Sequence, residues 1–220
     1  MTPKELWKLG YELMQEAEVS QEKYVKRRAI RYRDGLLIAF LSLCPIRQKN
    51  MNGLRMGEHL RVGSDRLNFS ADEMKTRKRD FNVTLPEPLI SCIKRYWDKY
   101  RPMIASPQSD EEALWLTLQG TPMSGDTLHE RITHHLSTRR GVRFSPHMFR
   151  HAAATFISDV APRQALMIVG VLGHTQFRTA RDHYIRGQQM SAVRSYQTAV
   201  LDMIENEFEA FTEQYESNGE

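Results

Sequence analysis

LLIAFLSLCPIR, residues 36–47, is the most apolar stretch of the chain, and its reading sets the frame for the rest. Leu36, Leu37, Ile38, Ala39, Phe40 and Leu41 leave no polar face, which predicts a helix buried on most sides. Ser20 can cap this helix at its start. Pro45 stops or kinks it, because proline lacks the backbone N–H that a helix interior uses. Arg47 then emerges as a cation mounted on the end of a buried element. The stretch falls far short of the ~18–20 apolar residues a bilayer span requires. Upstream, Thr2-Pro3-Lys4-Glu5 has the form of a capping box with proline in the first turn, predicting a helix to about Ala17. The opening MTPKELWKLG carries charges where a signal peptide has its apolar core.

Downstream the pattern changes. Val62, Leu67, Phe69, Phe81, Val83 and Leu85 fall in short alternating pieces between residues 58 and 85. They predict two or three antiparallel strands, with the basic run Lys75-Thr76-Arg77-Lys78-Arg79 on a hairpin turn. Helical spacing returns at 87–100, where Leu89, Ile90, Ile93, Tyr96, Trp97 and Tyr100 share a face. Residues 101–110 read as a loop and 113–117 as a short strand. Further helices are expected at 125–139, 147–158, 163–172, 176–184 and 190–215. The fold class is mainly α with a small antiparallel β-sheet (α+β), and no linker divides it.

A chain of 220 residues can bury about 70% of the surface exposed when unfolded, so it needs no metal or disulfide staple. With 40% hydrophobic and 26% charged residues it is a globular protein, not a collagen-like or low-complexity one. Cys44 and Cys92 form no redox or metal motif, and a reducing, cytoplasmic setting is expected. Charge is unevenly placed. Residues 191–220 hold one basic and seven acidic residues, which leaves 30 basic and 20 acidic in residues 1–190. A basic body of net +10 suits a polyanion such as nucleic acid.

Three places carry candidate chemistry. In Ser145-Pro146-His147-Met148-Phe149-Arg150, proline opens a helix, so His147 and Arg150 lie three apart on one face. A proton-transfer group beside a guanidinium fork can hold a phosphate and move a proton at it. His151, four residues after His147, also fits a helical metal pair, although no acidic or cysteine ligands accompany it. Val171-Leu172-Gly173-His174 forms a helix stop followed by a histidine, and Tyr184 comes ten residues later. Cys44-Pro45-Ile46-Arg47 is the third. Taken singly, each has an ordinary structural explanation: a surface H-x-x-R pair, a packing tyrosine, an ion-paired arginine.

Taken in order, Arg47, a hairpin lysine, His147-x-x-Arg150, Leu172-Gly173-His174 and Tyr184 resemble the catalytic domain of the tyrosine site-specific recombinases, the phage integrase family. PHMFRHAAAT and LGHTQFRTARDHYI carry the resemblance most specifically, and it extends from about Thr2 to about Ala199. It implies a tyrosine recombinase fold over residues 1–190, with a helix and acidic tail at 191–220 packing on its own chain or on a neighbouring protomer. It also implies a recombinase or integrase of a mobile element that breaks and rejoins double-stranded DNA through a 3′-phosphotyrosyl link, without ATP, metal or other cofactor. Tyr184 matches the nucleophile, and Arg47 and Arg150 match the phosphate-clamping arginines. Lys75 matches the acid that protonates the leaving 5′ oxygen, with Lys78 as a rival on the same turn. His147 matches the position assigned to proton handling, and His174 the one that hydrogen-bonds the phosphate. A tetramer on DNA, and accessory DNA-bending proteins, are the partners implied.

The chain departs from the family pattern in places. Cys44-Pro45-Ile46-Arg47 stands where the family often has T-G-L-R. Gly53-Leu54-Arg55 looks like that motif, but Arg47 follows the apolar helix directly. The first residues already resemble the first helix of the catalytic domain, where most members carry a preceding helical domain. This is expected of either a fragment or a catalytic-domain-only member. Competing readings are a type IB topoisomerase-like enzyme or invertase, a DNA-binding accessory protein with a decayed site, and a metal nuclease built on His147 and His151.

Overall fold

The computed structural model describes residues 1–61, 64–74, 80–160 and 193–205. Helix α1 (Pro3–Val19) begins at the expected box: Glu5 N–H donates to Thr2 Oγ1 at 3.2 Å and Thr2 N–H to the Glu5 carboxylate at 2.7 Å. Helix α2 (Val25–Leu43) begins later than Ser20. Ser20 ends α1 instead, and its hydroxyl accepts the Glu22 N–H at 3.1 Å, so the serine makes a turn and does not start a helix. Leu36 to Leu41 are all buried, as the apolar run requires, and α2 stops at Leu43, two residues before Pro45.

The α1–α2 crossing depends on two glycines. A Cβ on Gly10 would lie 2.6 Å from the Gly35 carbonyl oxygen, and one on Gly35 would lie 2.5 Å from that of Gly10. The two backbones therefore touch, and Leu6, Leu9, Leu13 and Met14 enter the same core as Leu36 to Leu41.

After the short helix α3 (Gln48–Asn52) come β1 (Arg66–Phe69) and β2 (Phe81–Thr84), antiparallel, with Leu67 opposite Val83 and Phe69 opposite Phe81. These four side chains are buried and alternate with exposed ones, which is the period of a one-sided sheet. The basic run at 75–79 lies outside the described residues. Residues 113–117 do not form a strand: Ala113 bridges Arg55 and Leu116 bridges Pro122, each in isolation.

Helix α4 (Glu87–Arg95) passes into a π turn (Tyr96–Tyr100) and then α5 (Arg101–Ile104). The loop expected from Arg101 thus starts only after Ile104. Pro102 is accommodated because the π turn widens the spiral just before it, with Arg101 N–H bonded to the Tyr96 carbonyl. Arg101 is held in place by donating to the Ala113, Asp110 and Glu111 carbonyls.

Helix α6 (Gly125–Arg140) is capped by Ser124, whose hydroxyl accepts the Thr127 N–H at 3.1 Å. It ends at Gly141 in the left-handed region (φ 67°), and Val142 N–H reaches back to the Leu136 carbonyl. Helix α7 (Pro146–Val160) follows after this short turn. The helix at 193–205, α8, buries Val193, Tyr196, Val200 and Ile204 in the chain's own core. The Tyr196 hydroxyl donates to the Ser42 carbonyl, and its ring meets Phe156 edge-on at 5.9 Å. Phe208 and Phe211 lie outside the described residues. Among the described residues no helix is long and apolar enough to cross a membrane.

Candidate active site

The site forms where the buried end of α2 meets the start of α7. Ile46 N–H donates to the Cys44 carbonyl at 2.7 Å, a γ-turn centred on Pro45, whose ring pre-sets the φ that turn needs. The turn redirects the chain so that Arg47, in extended conformation, becomes the residue preceding α3. Across from it, the Schellman end of α6 and Pro146 fix where α7 begins. Phe144 packs edge-on against Phe149 at 5.1 Å, which sets the rotation of the first turn.

That rotation brings Arg150 to the γ-turn, and its Nη1 donates to the Pro45 carbonyl at 2.7 Å. One hydrogen bond thus joins the turn that carries Arg47 to the helix that carries His147. The electrostatics agree. Burial, and next the positive charge of Arg47, push the Arg150 guanidinium down to about 10. Burial also lowers that of Arg47. Both stay protonated near neutral pH. Cys44 between them adds no anion, since burial pushes its thiol up to about 12. Among the described residues no carboxylate pairs with Arg47. Two half-buried guanidiniums that repel one another make this a positive site.

His147 is exposed on the first turn of α7, with Nδ1 2.9 Å from the Ser145 hydroxyl. Its ring stands edge-on to that of His151 at 5.9 Å. Among the described residues no acidic or cysteine group joins these two histidines as a metal set. The one such grouping there, Glu58, His59 and Glu73, is committed otherwise. His59 Nδ1 accepts the Arg55 N–H at 3.0 Å, so Nε2 carries the proton and donates to Glu73 at 2.5 Å.

Of the six residues expected from sequence, Arg47 and Arg150 come together through the turn at Pro45, and His147 stands exposed one turn earlier on α7, against Ser145 and His151. Lys75, His174 and Tyr184 lie outside the described residues, as does Lys78. Arg55, the motif look-alike, is occupied elsewhere: it donates to Asp110 at 2.9 Å and to Glu112 at 2.9 Å. Those two carboxylates raise its pKa above the ordinary arginine value.

Sequence reasoning missed the cluster that aligns the helices. Asp34 is buried on α2 and accepts from Arg33 Nε at 2.9 Å, Arg131 Nε at 2.8 Å and His135 Nε2 at 2.9 Å. Against the cost of burial, Arg33, His135 and Arg131 hold its carboxyl well below the usual range. Arg33 also donates to the Leu116 carbonyl at 2.5 Å. The available signals were a lone carboxylate entering an apolar run and an Arg–His pair four apart on α6. Gln48 adds a second tie, donating to the Gly125 carbonyl at 2.6 Å between α3 and α6.

The phage integrase family profile matches residues 12–190. No curated protein matches the chain. Among solved structures, a crystal structure of XerA recombinase superposes with a TM-score of 0.54 at 16% identity, covering 87% of this chain. The chain spans 63% of the XerA chain's length. At that identity the likeness speaks for the fold, a mostly helical domain with a small antiparallel sheet.

Proposed function

The chain belongs to the phage integrase family, and from that premise we propose that it is a site-specific DNA recombinase acting through a covalent 3′-phosphotyrosyl intermediate. The observation that carries this reading is the Arg47–Arg150 pair, built from two distant segments and joined through the Pro45 carbonyl. A phosphodiester under attack gathers charge on its non-bridging oxygens. Guanidiniums already fixed in place stabilise that charge more than they stabilise the ground state.

In this proposal Tyr184 attacks phosphorus, forming the Tyr Oη–P bond as the P–O5′ bond breaks. Lys75 gives its proton to the departing 5′ oxygen. His147 handles the tyrosine proton, and His174 hydrogen-bonds the phosphate. The phosphotyrosyl link conserves the energy of the broken diester, so rejoining to another strand runs by the reverse steps without ATP. Residues 1–190 act as the catalytic domain, double-stranded DNA is the substrate, and a homotetramer on DNA is the active assembly.

The test is a covalent trap. Wild type and Tyr184→Phe are incubated with nicked duplexes in EDTA and resolved on denaturing gels. A protein–DNA adduct present in wild type and absent in the variant is expected. An adduct that persists in the variant would refute the assignment of the nucleophile. Cleavage that leaves no adduct and is abolished by EDTA would favour the metal-nuclease reading.

A further inference from the structure

An open groove of about 630 Å³ runs between the first half of α2, the turn at 117–119 and the outer face of α6. It is distinct from the Arg47–Arg150 site, since Arg31 lies about 18 Å along α2 from Leu43. Arg27 and Arg31 line it from α2, and Arg131 and Arg139 from α6. Glu22 is the one carboxylate among its lining residues.

The ion pairs around the groove do not use up its charge. Arg27 and Arg31 both lean on Glu22 at 3.7 Å, beyond hydrogen-bond distance. Arg139 pairs with Glu16, and Arg131 shares Asp34 with the buried Arg33. Five arginines face three carboxylates, a net charge of +2. The Arg27 side chain is 68% exposed.

The shape of the groove selects among anions. Thr127, Arg131, His134 and Thr138 follow one another along α6 at spacings of three and four, a track about 16 Å long. A compact anion would need the groove's cationic groups to converge, whereas Arg27 and Arg31 on α2 and Arg131 and Arg139 on α6 are strung out along it. A nucleic-acid strand presents its phosphates as an extended row, which a linear track of this length can follow over a few successive phosphates. The Arg27 and Arg31 guanidiniums, too far from Glu22 to hydrogen-bond it, suit phosphate oxygens, while the Thr138 hydroxyl donates to the His134 carbonyl. At the α2 end stands Tyr24, 61% exposed, with the Arg27 guanidinium 4.9 Å from its ring centroid. An exposed aromatic beside a cationic groove is a platform for a base.

We infer that this groove is a second nucleic-acid contact, which takes the sugar-phosphate backbone of a strand outside the catalytic face. The identity of the anion rests on the recombinase reading; the groove itself does not. The test uses the full chain and a labelled 40-nucleotide single strand, followed by anisotropy across a salt series. Arg27→Gln with Arg31→Gln should weaken binding at least tenfold at low salt and flatten the log Kd against log salt slope by about 1.4. Tyr24→Ala should weaken binding further. Hydrogen exchange should show the strand protecting 25–31 and 127–138.

Unchanged affinity and slope in the double variant would overturn the inference. So would protection of these segments by a peptide of residues 205–220, the acidic end of the chain, but not by the oligonucleotide. A wild-type Tyr184 adduct together with no effect in the groove variants would sink the groove alone. A groove effect with no Tyr184 adduct would sink the recombinase chemistry alone.

Discussion

Asp34→Asn tests the scaffold beneath the active site. Asp34 is 1% exposed, and the Arg33 side chain beside it is 3% exposed. Removing the negative charge leaves the Arg33 guanidinium buried without its counter-ion and loosens Arg131 and His135 on α6. Breaking one side of such a pair costs about 3–5 kcal/mol. Arg131 is one-third exposed, so water screens part of its loss and Arg33 dominates the cost. For a chain of this size that corresponds to a fall in Tm of about 6–20 °C. Urea denaturation followed by circular dichroism reads it directly. The pH dependence has a fixed sign. The folded pKa of Asp34 is depressed, so its contribution is complete above the unfolded carboxylate value near 3.9 and is lost as pH falls through the folded value. The gap between wild type and variant should therefore hold steady from pH 5 to 8 and close only below about pH 4. Arg33→Met with Asp34→Leu should recover most of the stability, because an apolar pair carries no desolvation cost. A loss under about 1 kcal/mol in Asp34→Asn, or a gap that closes above pH 6, would refute the reasoning.

Other expectations follow from single contacts. Gly35→Ala should destabilise by about 1–3 kcal/mol in the same urea assay, despite alanine's better helix propensity, because its Cβ would meet the Gly10 carbonyl at 2.5 Å. Tyr196→Phe leaves the buried Ser42 carbonyl without its donor and should cost about 1–3 kcal/mol, with faster amide exchange across 193–205. Arg150→Ala should lower the single-turnover cleavage rate by about 10²–10³ while changing duplex affinity little, since its role lies in the transition state. Arg55→Ala, by contrast, should lower stability and leave the cleavage rate of the folded fraction near wild type, because Arg55 serves Asp110 and Glu112.

The sequence made legible whatever local rules decide. The capping box at Thr2, the buried run before Pro45, the alternation at Leu67, Phe69, Phe81 and Val83, and the proline start of α7 all stand where pattern places them. Errors came where a residue had two uses. Ser20 caps a turn as readily as a helix, and Pro102 follows a π turn whose widening no propensity scale records. Ala113 to Thr117 have strand-like residues but only isolated bridges to pair with. At the site, residue types singled out Arg47 and Arg150, but nothing in them pointed to the Pro45 carbonyl that Arg150 grips. Backbone acceptors carry no sequence signature. The Asp34 cluster was hidden for a related reason: its partners lie about a hundred residues apart in the chain, and only the packing of α6 on α2 brings them together.

The proposed chemistry turns on a covalent link to one tyrosine. Wild-type protein trapped on a nicked duplex in EDTA, digested and sequenced by tandem mass spectrometry, reports the linked residue directly. A nucleotide on Tyr184, through its phenolic oxygen and the 3′ phosphate, is expected. A nucleotide on any other residue, or cleavage without a covalent species, would contradict it.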